Sequence, residues 1–168
     1  MMILGVDPGL NATGYGLVEP TTTQLRIVAA GDIRPPAKQP LAERLAFIHQ
    51  ALSALISRYH PGAAVLEKIF THHSYLTTAT LMGHARGVAC LAMQEHGVPL
   101  AEYAPTQVKK SLTGNGGASK EQVARMVEQW LHYRDPTWSW DATDALALAI
   151  VHIHHVESQQ RQIPQGVR

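Results

Sequence analysis

The chain has 168 residues, 45% hydrophobic and 16% charged, with a net charge of +1. This length suits one domain and excludes two of full size. The composition can fill one core and is far from that of a disordered chain. The near-neutral total argues neither for nor against a nucleic-acid partner, so any positive field for one must be local. A lone Cys90 excludes an internal disulfide framework and a cysteine zinc site, and fits a reducing cytosol. No apolar run is long enough to span a membrane, and the N-terminus lacks the basic region of a signal peptide.

Met2–Asp7 reads as a buried strand stopped by Pro8-Gly9. Thr13–Glu19 and Gln24–Arg34 alternate, and their short connections predict an antiparallel meander. Gly14 and Gly16 suggest close approach of another backbone to the second strand. From Leu41 the period changes: Leu45, Ile48, Leu52, Leu55, Ile56 and Tyr59 recur at helical spacing, and Pro61-Gly62 ends the run. Ala63–Glu67 is a short buried strand. Ser74–His96 follows as a helix, with Leu76, Leu81, Val88, Leu91 and Ala92 expected in the core. Pro99–Ala104 is a fifth strand, and Pro105 opens a short helix to Leu112. Ser119 and Gln122 form a capping box before a helix with Val123, Met126, Val127, Trp130 and Leu131 as its apolar face. Trp140–Val156 is the last helix. The domain is expected to cover residues 1–157, with 158–168 a polar, disordered tail. A right-handed crossover puts the fourth strand parallel to one of the first three. If its neighbour is the first strand, Asp7 and Glu67 end at one sheet edge.

Four acids carry the chemistry. Taken singly, Asp7 is a turn aspartate, Glu67 an exposed strand end, and Asp141 and Asp144 acids favoured at a helix N-terminus. Asp141 and Asp144 are three residues apart and share a helix face. Taken together, each lies beside an apolar stretch, where a carboxylate is costly without a partner, and few bases adjoin them in sequence. Such a cluster calls for cations, and all-oxygen ligands select hard ions such as Mg²⁺ or Mn²⁺. Two ions about 4 Å apart are the usual arrangement for in-line phosphodiester hydrolysis.

Ile3-Leu4-Gly5-Val6-Asp7-Pro8-Gly9, followed by Thr13-Gly14-Tyr15-Gly16, closely resembles the start of RuvC-type Holliday junction resolvases. Leu66-Glu67-Lys68-Ile69-Phe70 resembles their second acidic motif. Gly83-His84-Ala85-Arg86-Gly87-Val88, Glu102–Lys109 and Asp141-Ala142-Thr143-Asp144-Ala145-Leu146-Ala147 resemble three further blocks, so the likeness runs from residue 2 to about 155. The resemblance implies an α/β, RNase H-like fold, with a five-stranded mixed β-sheet flanked by helices. It implies a homodimer that resolves four-way DNA junctions by paired, Mg²⁺-dependent nicks, leaving 5′-phosphate and 3′-hydroxyl ends. It assigns Asp7, Glu67, Asp141 and Asp144 as catalytic acids holding two metal ions. It also brings the RuvA-RuvB branch-migration complex as an expected partner, in the cytoplasm.

For DNA contacts the resemblance gives Phe70, as a side chain stacking on a base at the crossover, and Lys109 and Lys120 on phosphates. Lys110 extends the same local basic patch. His72 and His73 stand in a loop where relatives usually offer Lys and Asn. Lys68 and His84 each replace a usual Gln. Arg86 reads as a structural or interface residue. His152, His154 and His155 read as surface or packing residues. Sugar-kinase or actin-like ATPases usually need two related domains, for which this chain lacks room. A non-catalytic junction binder would have lost acids that are all present here. The alternative that remains is another RNase H-like nuclease acting on RNA or RNA–DNA hybrid.

Overall fold

The structure is a computed structural model and describes residues 1–68, 76–133 and 135–162. Strands β1 (Ile3–Asp7), β2 (Thr13–Pro20) and β3 (Leu25–Ile33) form the expected antiparallel meander. Helix α1 (Leu41–Tyr59) returns the chain to the sheet, where β4 (Ala63–Glu67) pairs parallel to β1. Helix α2 (Leu76–Glu95) leads to β5 (Leu100–Tyr103), parallel to β4. Helices α3 (Pro105–Thr113), α4 (Lys120–Leu131) and α5 (Trp140–Gln162) complete the chain. The sheet order is β3-β2-β1-β4-β5, a five-stranded mixed sheet with helices on both faces.

Each strand feeds two cores, because its side chains alternate between faces. Ile3 and Val65 pack with α3, α4 and α5, whereas Leu4, Val6, Ala64 and Leu66 pack with α1 and α2. Continuing the alternation by one step puts Asp7 with Ile3 and Glu67 with Val65, on the face covered by α5. The acids are thus the last members of an otherwise apolar row.

Three glycines let α5 lie directly on the sheet. A Cβ on Gly5 would fall 1.9 Å from the Ala145 carbonyl oxygen, and one on Gly14 would fall 2.0 Å from that of Asp141. A Cβ on Gly16 would meet Leu146 at 2.7 Å. No side chain fits at these spacings, which gives the close approach expected at Gly14 and Gly16 its physical cause.

Two helices differ from expectation. In α2 the core face is the small-residue row Ala85, Ala89 and Ala92 with Met93, whereas Leu81 and Leu91 are 40% and 51% exposed. Alanines let α2 sit close to α1, and this turns the larger side chains outward. In α4, Val123, Val127 and Leu131 are buried, but Trp130 lies outside the core with its ring edge against His154, centroids 4.3 Å apart. The α4 capping box forms as expected, with the Gln122 amide donating to Ser119 Oγ at 3.3 Å and the Ser119 amide to Gln122 Oε1 at 2.8 Å.

Helix α5 continues to Gln162, so the expected disordered tail begins inside a helix. The Ser-Gln-Gln-Arg-Gln stretch contains no helix breaker, and Ser158 Oγ bonds back to the His154 carbonyl at 2.7 Å.

Candidate active site

Asp7 and Glu67 lie at the carboxyl ends of adjacent parallel strands, one residue beyond the Val6–Leu66 pair. Opposite Asp7 in the β1–β2 ladder is Gly14, which leaves no room for a Cβ against the Asp141 backbone. The first turn of α5 is thereby placed over the strand end that carries Asp7. Ser139 fixes that turn: its Oγ accepts from the Ala142 amide at 3.0 Å and donates to Asp32 Oδ1 at 2.5 Å. Asp32 is in turn paired with Arg34 at 2.9 Å. The N-terminus of α5 is thus tied to β3, at one edge of the sheet.

All four acids line a single cleft of about 470 Å³, together with Lys109 and Lys120. Lys109 lies on α3, and Lys120 is the first residue of α4. Lys120 Nζ reaches Asp144 Oδ2 at 3.4 Å. Lys110 is exposed and does not line the cleft. Phe70, His72 and His73 lie outside the described residues.

The cleft is electrostatically costly. Burial, then the charges of Asp144, Glu67 and Asp141, push the Asp7 carboxyl up to about 7 from an ordinary 3.8, against the opposing pull of Lys120. Burial and Asp144 also raise Glu67. Burial raises Asp144, although Lys120 counteracts it. The same attraction raises the Lys120 ammonium. Two lysines therefore offset only part of the negative charge that four carboxylates would carry when ionised. Among the described residues no three acids stand close enough to form a ready-made ligand group. An all-carboxylate donor set, in which Asp7, Glu67 and Asp144 resist ionisation, fits hard divalent cations, whose binding would expel the remaining protons.

The family model described as "Crossover junction endodeoxyribonuclease RuvC" matches residues 3–152, which include all four acids and both cleft lysines. The chain belongs to the RuvC family. A RuvC of Bradyrhizobium diazoefficiens is 45% identical over 156 residues, covering 93% of this chain and 88% of that protein. A RuvC of Acidobacterium capsulatum is 46% identical over 169 residues, covering 96% and 98%. The structure described as "T. thermophilus RuvC in complex with Holliday junction substrate" superposes with a TM-score of 0.87 at 31% identity, over 95% of this chain and 96% of that one. A yeast mitochondrial Holliday junction resolvase shares the fold at 11% identity, with a TM-score of 0.65. The chain is accordingly RNase H-like, with the α/β architecture expected from its sequence.

Two residues that sequence reasoning did not place at this site help to build it. Ser139 caps the helix that carries Asp141 and Asp144, and its position immediately before Trp140 was the available signal. Arg44 of α1 donates to the Leu10 carbonyl at 2.9 Å and to Asn11 Oδ1 at 2.8 Å, holding the loop that leaves Asp7. No local pattern announces that contact, which spans 34 residues of sequence.

Proposed function

We propose that this protein is a crossover junction endodeoxyribonuclease that resolves four-way DNA junctions by hydrolysing one phosphodiester in each of two opposed strands. The observation that carries the reading is that Asp7, Glu67, Asp141 and Asp144 all line one cleft together with Lys109 and Lys120, in a member of the RuvC family. Nucleases of this family are metal-dependent. The four acids would hold two Mg²⁺ ions, with Mn²⁺ as a substitute. When bound, these ions supply activation of the attacking water and stabilisation of the departing 3′ oxygen. Water adds to phosphorus as the bond to the 3′ oxygen breaks, so the products are a 5′-phosphate and a 3′-hydroxyl.

The protein's own groups prepare this step. Asp7, whose carboxyl is raised by burial and then by its acidic neighbours, would be held ionised by cations in the cleft. Lys120 is held near Asp144 before DNA arrives, and a phosphate entering the cleft offers it a competing partner. Lys109 provides a second cation on the cleft wall. Phe70, His72, His73 and Lys110 complete the DNA contacts, with Phe70 stacking on a base at the crossover. Lys110 would act outside the cleft, on the flanking duplex. Symmetric nicking requires two such clefts, so the working form is a homodimer. The exposed Leu81 and Leu91 of α2 offer apolar surface for it. No helix of the described residues is long and apolar enough to cross a membrane. A cytoplasmic location, and delivery to junctions by the RuvA-RuvB complex, complete the proposal.

Nicking of a mobile four-way junction, a linear duplex and an RNA–DNA hybrid should be compared in Mg²⁺ and in EDTA. Paired, Mg²⁺-dependent nicks at the junction alone are expected. Preferential cutting of the hybrid would reassign the protein to an RNA-directed nuclease of the same fold.

A further inference from the structure

Glu67 is the last residue of β4, so its carboxylate is placed only as well as the strand end is held. Towards β5, the Lys68 amide donates to the Tyr103 carbonyl at 2.8 Å. Towards α2, Arg86 Nη1 donates to the carbonyl of Glu67 itself at 2.6 Å. The other guanidinium nitrogen of Arg86 forms an ion pair with Glu102 Oε1. Glu102 lies on β5, in register with Leu66. One guanidinium therefore joins α2, β4 and β5 where the strand delivers its acid. The Arg86 side chain is only 15% exposed, and it follows Ala85 of the buried α2 row.

A plain stabilising ion pair would not need this geometry. Glu102 is 40% exposed, and pairs with an exposed partner contribute little to stability. The distinctive bond is the one to a backbone carbonyl at the acid's own residue, and the fork of an arginine can serve that carbonyl and a carboxylate at once. A lysine offers one nitrogen in place of the two, held in a rigid fork, that make these bonds.

We propose that Arg86 is a positioning residue for the acid cluster, holding the Glu67 backbone from α2 so that its carboxylate stays presented to the cations of the cleft. The proposal rests on the reading of Glu67 as a metal-holding acid. It extends that reading by coupling the site to α2, the helix on which Leu81 and Leu91 are exposed. A shift of α2 would then be felt at Glu67 through a single side chain.

The test compares full-length wild type, Arg86→Lys, Glu102→Gln and Glu67→Gln. Four quantities are measured: melting temperature in EDTA, the rise of melting temperature with added Mn²⁺, junction affinity in EDTA, and single-turnover cleavage against Mg²⁺ concentration. Loss of a residue that orients a metal ligand typically weakens metal binding by about tenfold or more. Arg86→Lys is expected to raise the Mn²⁺ concentration for half-maximal stabilisation by about that factor. Its cleavage should fall at limiting Mg²⁺ and recover in part at high Mg²⁺, with junction affinity unchanged. Glu102→Gln keeps the bond to the Glu67 carbonyl but weakens the tether, and should show a smaller shift in the same direction. Unchanged Mn²⁺ dependence in both variants would overturn the proposal. So would a loss of junction affinity in Arg86→Lys that matches its loss of cleavage, since Arg86 would then be a DNA contact. Should Arg86→Lys fail to fold, the Mn²⁺ dependence of Glu102→Gln decides alone. Near wild-type cleavage by Glu67→Gln would instead defeat the underlying reading of the site.

Discussion

Replacing Asp7 by Asn should abolish nicking and, at the same time, make the metal-free protein more stable. The Asp7 carboxyl is pushed from 3.8 to about 7 by burial and by three neighbouring acids. Holding it ionised in the folded chain therefore costs about 4 kcal/mol relative to the unfolded chain. The sign follows from proton binding. Below the unfolded value both states are protonated and no penalty exists. As pH rises from about 4 towards 7, the unfolded chain releases its proton first, so stability falls, and above 7 the full penalty applies. Asn has nearly the same shape and no charge, so it removes the penalty without leaving a cavity. In EDTA at pH 8 the variant should be stabilised by about 3–4 kcal/mol, or roughly 10 °C in melting temperature for a chain of this size. At pH 4 the difference should nearly vanish. Chemical denaturation at both pH values measures the effect, alongside cleavage of a four-way junction in Mg²⁺ and junction binding in Ca²⁺. Binding should persist or tighten, because a negative charge facing phosphate has gone. Equal stability of the two proteins at pH 8 would refute the electrostatic account of the cluster. Retained cleavage would refute the assignment of Asp7.

Cation binding must expel the Asp7 proton, so the half-saturating Mg²⁺ concentration should rise below pH 7, approaching roughly tenfold per pH unit; a flat profile would contradict this, and single-turnover cleavage against Mg²⁺ at several pH values measures it. Lys120→Gln should weaken junction binding in EDTA alike for all junction sequences and lower the salt slope by about one, as loss of one phosphate contact does. Without that cation Asp144 should also titrate higher, which NMR of the side-chain carboxyl would read. Leu81→Ser combined with Leu91→Ser should yield a monomer by sedimentation and leave unpaired nicks, with little change in the monomer's own fold because both side chains are exposed.

Much of this site was legible because a strand is a period-two object. Ile3, Gly5 and Asp7 share one parity, as do Ala63, Val65 and Glu67, so strands ending in an acid announce a carboxylate at the end of an apolar row. The crossover rule then brings both strand ends to one edge. The core face of α2 was not legible in the same way. Helical periodicity is usually traced through large apolar residues, and here Leu81 and Leu91 point outward while Ala85, Ala89 and Ala92 pack inward. Lys110 joined the basic patch by sequence proximity to Lys109, but adjacent residues on a helix face different ways, and only Lys109 reaches the cleft. Contacts such as Arg86 to the Glu67 carbonyl and Ser139 to Asp32 join residues 19 and 107 positions apart, and no local pattern encodes them.

The glycines and the acids answer the same physical demand. Asp7 and Asp141 are 134 positions apart in sequence, and bringing their side chains into one cleft requires α5 to lie against the backbone of β1 and β2. Gly5 and Gly14 allow that approach, and any larger residue would force the helix off the sheet and open the cleft. Closeness adds mutual repulsion to burial, which is the larger cause of the raised Asp7 carboxyl. Packing elsewhere therefore holds together a site that is strained electrostatically until cations arrive. Interior apolar contacts supply that hold on both sides of the sheet, with Ala145, Leu146 and Ala149 of α5 all fully buried. Divalent cations held there, as proposed, would relieve a cost of burial and repulsion that folding has already imposed. On the proposed reading, a substitution that loosened the seat of α5 would be expected to lower metal affinity even with every acid in place.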